Sequence, residues 1–194
     1  MRTAAFSQAL LPKLALLPNQ VGRYPRAVPT NTTVRFARPE DALTIIEFVR
    51  GLAVFERESP ERVHLTPEAI LRDGFGERPV FESLIAEQDG RPVGFALFFP
   101  NYSTWEGSPG LYCEDLFVAE EARGTGAGEA LLLAMAKLAH ERGWPRLDLS
   151  VLDWNPARGF YERHGMSHQQ EWLPYRMEAD TIARLAAEAP AIER

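Results

Sequence analysis

The stretch Arg123-Gly124-Thr125-Gly126-Ala127-Gly128 sets three alternating glycines between an apolar run, "LYCEDLFV" at 111–118, and a segment patterned as a helix. Glycine permits positive φ and a close approach of backbone to ligand, and the first turn of a following helix presents unpaired amides beside a partial positive charge. A strand, loop and helix that bind an anion, pyrophosphate first of all, are what such a segment can build. Two better-known phosphate motifs fit poorly. A P-loop needs Gly-Lys-Ser/Thr, whereas Gly128 precedes Glu129 and Ala130; a dinucleotide fingerprint needs G-x-G-x-x-G, and Glu129 stands where its third glycine belongs.

The flanking pattern supplies the context. "VRFAR" at 34–38 reads as a strand, followed by a helix whose first turn holds Pro39, Glu40 and Asp41 and whose apolar face carries Ala42, Ile45, Ile46, Val49, Leu52 and Ala53. Thr66-Pro67 opens a second helix that Gly74 is expected to stop. "VFESLIAE" and "PVGFALFFP" flank Gln88-Asp89-Gly90-Arg91, whose Asp-Gly predicts a hairpin, and "LYCEDLFV" extends the antiparallel set. After the glycines, Leu131, Leu132, Met135, Leu138 and Ala139 lie on one helical face, and Gly143 is the expected terminator. "RLDLSVLD" at 146–153 alternates as a strand; a short helix from Pro156 to Arg163, strand-like "HQQEWLPYRME" and helical "DTIARLAAEA" complete the chain. The fold class is therefore mixed α/β, with antiparallel strands first and a β-α-β unit holding the glycines.

A chain of 194 residues, 45% hydrophobic, predicts one domain with a sizeable core. Residues 1–33 differ from the rest: they hold Arg2, Lys13, Arg23 and Arg26, no acidic residue, and four prolines. They are expected to form an N-terminal extension outside a domain at 34–194, as a targeting peptide, a mis-assigned start or a segment packed on a partner. The formal charge of −6 argues against nucleic acid or an anionic membrane as partner and suits a cationic ligand. No stretch matches the roughly 20 apolar residues of a membrane span. A lone cysteine, Cys113, fits a reducing, cytoplasmic compartment and reads as a small buried hydrophobe. His164 and His168 have a metal-like spacing, but Gly165 interrupts the helix between them and no cysteine cluster completes a site, so no metal is expected.

Arg123-x-x-Gly126-x-Gly128 between a strand and a long helix resembles the acetyl-CoA pyrophosphate loop of the GNAT superfamily of N-acetyltransferases, and "FYERHGM" at 160–166 resembles its tyrosine-bearing helix. "RDGFGERP" at 72–79, "LYCEDLFV" at 111–118 and "DWNPARGFY" at 153–161 narrow the resemblance to the diamine (spermidine/spermine) and thialysine N-acetyltransferases. The resemblance implies a central, mostly antiparallel sheet flanked by helices, acetyl-CoA as co-substrate, a small cationic amine as acceptor and a homodimer.

It also implies roles. Leu116, Phe117 and Val118 would hold acetyl-CoA through backbone contacts, and Arg123, Gly124, Thr125, Gly126, Ala127, Gly128 and Glu129 would bind its pyrophosphate. Asn155, Pro156 and Ala157 would complete the cofactor site, with Trp154 or Asn155 in the contacting place because the family's Asn-x-Pro is shortened here. Tyr161 matches the general acid. Phe55, Glu56, Glu114, Asp115, Asp148, Leu149 and Ser150 map near the amine, with Glu114 as its proton acceptor. Strand alternation is expected to send Glu114 and Asp115 to opposite faces. Phe55 replaces a tyrosine, and Ser150 a larger apolar residue, so polyamine, thialysine-like amino acid and other small amines stay open as substrates. A peptide lysine acceptor and a non-catalytic CoA-binding module are the competing functions.

Overall fold

A computed structural model describes residues 31–193. The expected extension therefore lies outside the described residues except at its end, where Thr32 and Thr33 already belong to the first strand. In chain order the elements are β1 (Thr32–Phe36), α1 (Ala42–Phe55), α2 (Pro67–Phe75), β2 (Glu82–Gln88), β3 (Arg91–Ser103), β4 (Ser108–Val118), α3 (Ala127–Glu141), β5 (Leu147–Leu149), α4 (Arg158–Arg163) and α5 (Ala179–Ala186). One sheet in the order β1-β2-β3-β4-β5 runs antiparallel through β4 and ends in a parallel β4/β5 pair. Asp89 (φ 50) and Gly90 (φ 72) both take positive φ between β2 and β3, the two-residue hairpin turn that Asp-Gly favours.

Alternation along the strands builds two apolar layers. Ile85, Phe95, Leu97 and Phe117 meet Ile45, Ile46 and Phe48 of α1 and Ile70 of α2, while Leu84, Ala86, Ala96, Phe98, Leu111 and Cys113 meet Leu131, Leu132 and Met135 of α3. Each Leu, Ile, Phe or Met among them, once removed from water, contributes about 1.5–3 kcal/mol. Gly74 does not stop α2, which continues to Phe75. A Cβ at Gly74 would lie 2.7 Å from the Phe81 ring, so the glycine serves close packing instead.

Two features shape the site. β5 is shorter than the expected 146–153: it pairs only Leu147, Asp148 and Leu149 with Leu111, Tyr112 and Cys113. Among the described residues nothing pairs with β4 on that side beyond Cys113, and a cleft opens there. Second, β3 and β4 slip by one residue, with Leu97 opposite Asp115 and Phe98 opposite Cys113, so Glu114 is a β-bulge. The strand expected at 168–178 is absent: the segment is irregular and exposed. Pro174 removes a ladder donor, and a three-residue β5 gives it little edge to extend.

Candidate active site

The cleft is a cavity of about 810 Å³ between β4, β5, the end of α1, the start of α3 and α4. Its anion-binding wall comes from the glycine loop. Gly124 (φ 78) and Gly126 (φ 96) both adopt left-handed backbone, and Gly126 is the N-cap of α3. The amides of Ala127, Gly128 and Glu129 begin α3 and so have no intrahelical acceptor, and Gly126, with no side chain, cannot cap them. Such amides, with the helix dipole behind them, suit a pyrophosphate. The loop is braced from behind: Thr125 donates its hydroxyl to the Ala122 carbonyl (2.7 Å) and accepts from Gln88 Nε2 (2.7 Å).

Two loop side chains stand back from the cavity: Thr125 is engaged with Gln88, and the methyl group of Ala127, the first residue of α3, is buried. Arg123, Gly124, Gly126, Gly128 and Glu129 do line it, as do Leu116, Phe117 and Val118 of β4. Arg123 donates Nε to the Val118 carbonyl (3.2 Å), and its guanidinium lies 4.6 Å from the centre of the Phe55 ring. Glu129 meets His164 Nε2 at 3.5 Å, joining the start of α3 to the end of α4. Asn155, not Trp154, stands in the wall; it is buried and its Oδ1 accepts the Ala157 amide at 2.8 Å. Pro156 and Ala157 flank it in the same wall.

Tyr161 of α4 lines the cavity, and its phenol is raised by burial first and then by Cys113 and Glu56. The hydroxyl therefore keeps its proton at neutral pH. Glu56, Glu114 and Asp115 line the same cavity. The bulge defeats simple alternation and brings Glu114 and Asp115 to one cavity. Burial, followed by the charges of Glu114 and Glu56, raises Asp115 to about 6. Glu56 is also raised, by burial and then by Glu58. Three carboxylates lining one cavity, two of them near enough to Asp115 to disfavour its charge, attract a cation.

Phe55, Leu149 and Ser150 are in the wall, with Ser150 Oγ 2.9 Å from the Tyr112 hydroxyl. Asp148 is not. Its register partner is Tyr112, its Oδ2 accepts from Asn101 Nδ2 (3.0 Å) and Arg146 Nε (2.8 Å), and it lines a separate groove beside the 165–172 segment. Sequence reasoning missed Leu52, Cys113, Ala122, Val151 and Phe160 as cavity residues. The apolar pattern places Leu52 and Cys113 in the core, and no local signal separates core from cavity lining. Burial and the neighbouring Asp115 and Glu114 push the Cys113 thiol up to about 12, and its Sγ donates to the Asp115 carbonyl at 3.4 Å across the bulge.

The model of the acetyltransferase (GNAT) family matches residues 48–166. The chain belongs to that family. It is 36% identical over 168 residues to the mouse thialysine N-epsilon-acetyltransferase, covering 80% of this chain and 98% of the relative. It is 30% identical to the human spermidine/spermine N(1)-acetyltransferase-like protein 1, covering 80% of this chain but 24% of that longer protein. A Vibrio cholerae integron cassette protein shares the fold, with a TM-score of 0.67, 24% identity and coverage of 80% of this chain and 98% of its own. The protein is thus an acetyl-CoA-dependent N-acetyltransferase with the mixed, mostly antiparallel sheet of its family. Among the described residues no group of three or more His, Cys, Asp or Glu side chains is placed to hold a metal ion, and no helix is long and apolar enough to cross a membrane.

Proposed function

We propose that this N-acetyltransferase acetylates a primary amine of a small, diamine-like substrate by direct attack while both substrates are bound. One observation carries this: the glycine loop whose amides suit a pyrophosphate, the protonated Tyr161 and the three carboxylates Glu56, Glu114 and Asp115 meet at a single cavity. Acetyl-CoA bound there supplies an activated acetyl group on a thiol leaving group. The names of the relatives, acting on thialysine and on spermidine or spermine, support an aliphatic amine as the acceptor.

The roles follow from acidity. An alkylammonium with a reference pKa of about 10.4 must lose a proton before it can attack. Glu56, Glu114 and Asp115 draw in the cation, and the more buried Asp115, poised near 6, is better suited than the exposed Glu114 to take that proton. Tyr161, half-buried on α4 with its hydroxyl protonated, donates to the departing thiolate. Backbone amides of β4 between Leu116 and Val118 polarise the acyl carbonyl. A homodimer working in a reducing cytoplasm belongs to the same proposal, supported by the family resemblance and by the free thiol of Cys113. Thiol release from acetyl-CoA across free diamines, diamino acids and lysine peptides tests the function. Turnover with free amines is expected; turnover confined to peptides would replace it with a protein-lysine acetyltransferase, and no release with any acceptor would leave a CoA-binding module.

A further inference from the structure

Both long helices of the domain end in the same hydrogen-bond motif, with one difference. After α3 the Trp144 amide donates to the Ala139 carbonyl (2.8 Å) and the Gly143 amide to His140 (3.0 Å), with Gly143 left-handed at φ 67. After α1 the Glu58 amide donates to Ala53 (2.9 Å) and the Arg57 amide to Val54 (3.1 Å), but the left-handed residue is Arg57, at φ 65. Glycine is the ordinary occupant of this position, and a residue bearing a Cβ is strained there. Strain held beside a binding cavity directs attention to what the side chain does.

The Arg57 guanidinium lies 4.0 Å from the centre of the Trp154 ring, and Trp154 in turn meets Phe55 at 6.4 Å. This stack bridges the end of α1 to the loop that carries Asn155, and so spans two segments of the cavity wall. Among the described residues no carboxylate pairs with Arg57, although it sits between two glutamates. Glu58 pairs with Arg62, and Glu56 lines the cavity beside Asp115. Stacking occupies the face of a guanidinium and leaves its N–H edge free for bidentate bonds to an anion. Neighbouring residues thus carry opposite charges: Glu56 lines the cavity, and Arg57, next to it in the chain, is held against Trp154, the neighbour of the lining residue Asn155.

We propose that Arg57, fixed on Trp154, reads the far end of the amine substrate: it binds a carboxylate and repels a second ammonium. The enzyme then selects a diamino carboxylic acid, whose side-chain amine enters among Glu56, Glu114 and Asp115, over the diamine of the same chain. This rests on the amine-acetylation reading above.

Matched pairs test it. Lysine and cadaverine, and ornithine and putrescine, differ only by the carboxylate, and steady-state thiol release gives kcat and KM for each. The wild-type kcat/KM is expected to favour the amino acid by about tenfold or more, the scale of a charge-assisted hydrogen bond. Arg57→Gly installs the residue the helix-end motif prefers, so its melting temperature should stay within a few degrees of wild type. Its preference should collapse through a raised KM for the amino acid, with kcat and the KM for acetyl-CoA unchanged, and Arg57→Lys should restore part of it. Equal use of both pair members by the wild type, or a preference that survives Arg57→Gly, overturns the proposal. A raised KM for acetyl-CoA in Arg57→Gly would place the guanidinium on the cofactor and overturn it equally. Absence of thiol release with every pair would instead overturn the amine-acetylation reading, and this one with it.

Discussion

Glu114 and Asp115 are consecutive residues of one strand, yet both line one cavity, because the ladder slips between Asp115 opposite Leu97 and Cys113 opposite Phe98. Burial and the two neighbouring carboxylates raise Asp115 to about 6. Its unfolded value is about 3.9, so the folded state holds the proton more tightly. The contribution of this group to stability is therefore fully present below about pH 4 and is lost as pH rises through about 6, a change of about 3 kcal/mol if the whole shift is expressed. Denaturant unfolding of wild type and Asp115→Asn across this window should show the variant gaining relative stability toward neutral pH. In kinetics, Asp115 as proton acceptor gives kcat/KM an acidic limb near pH 6, and the limb should disappear in Asp115→Asn. An unchanged limb would return the proton to Glu114 or to solvent.

The glycine loop makes a second prediction. Gly126→Val places a β-branched side chain at φ 96, where the left-handed backbone costs an L residue about 1–2 kcal/mol, and tilts the first-turn amides of α3. Calorimetry should find acetyl-CoA affinity reduced by about tenfold or more, while circular dichroism shows the fold retained. Unaltered affinity in the folded variant would remove the loop from the cofactor site.

What was legible in the sequence was local. Gly124, Gly126 and Asp89-Gly90 announced positive φ, and Thr66 accepts the Ala69 amide as an N-cap residue should. The periodicities of α1 and α3 located the two apolar layers. What was illegible depended on partners distant in the chain. The bulge at Glu114 arises from register against β3, so alternation read along β4 alone put Glu114 and Asp115 on opposite faces. Gly74 looked like a stop because nothing in its neighbourhood announces the Phe81 ring against it. Asp148 looked like a cleft acid because the family resemblance maps it with Leu149 and Ser150 near the amine; those two do line the cavity, while the register with Tyr112 and the reach of Arg146 turn Asp148 elsewhere.

Asp148 supplies the third prediction. Paired with Arg146 and Asn101 and outside the cavity, it should have little part in amine binding. Asp148→Asn is expected to leave the amine KM unchanged within about twofold and to cost at most about 1 kcal/mol of stability, as for other partly exposed ion pairs. A selective rise in the amine KM without loss of stability would return Asp148 to the substrate site.

The last prediction concerns the proton given to the leaving thiolate. Tyr161→Phe removes one hydroxyl while keeping the ring that packs on Phe160, whose centre lies 5.2 Å away. The Tyr161 hydroxyl makes no hydrogen bond to another described residue, so its loss leaves no protein group unpaired, and melting should be little altered. Acetyl-CoA affinity should also hold if the glycine loop and the start of α3 bind the pyrophosphate, as proposed. Turnover alone should fall. Positioned general acids contribute about 10²–10⁴-fold, and a thiolate leaves readily, which sets the expectation at the lower end of that range. Single-turnover measurement isolates the chemical step from product release, which can otherwise mask the loss. If the folded Tyr161→Phe enzyme passes through that step at the wild-type rate, the proton comes from solvent or from another residue of the cavity, and the half-buried phenol is there for packing.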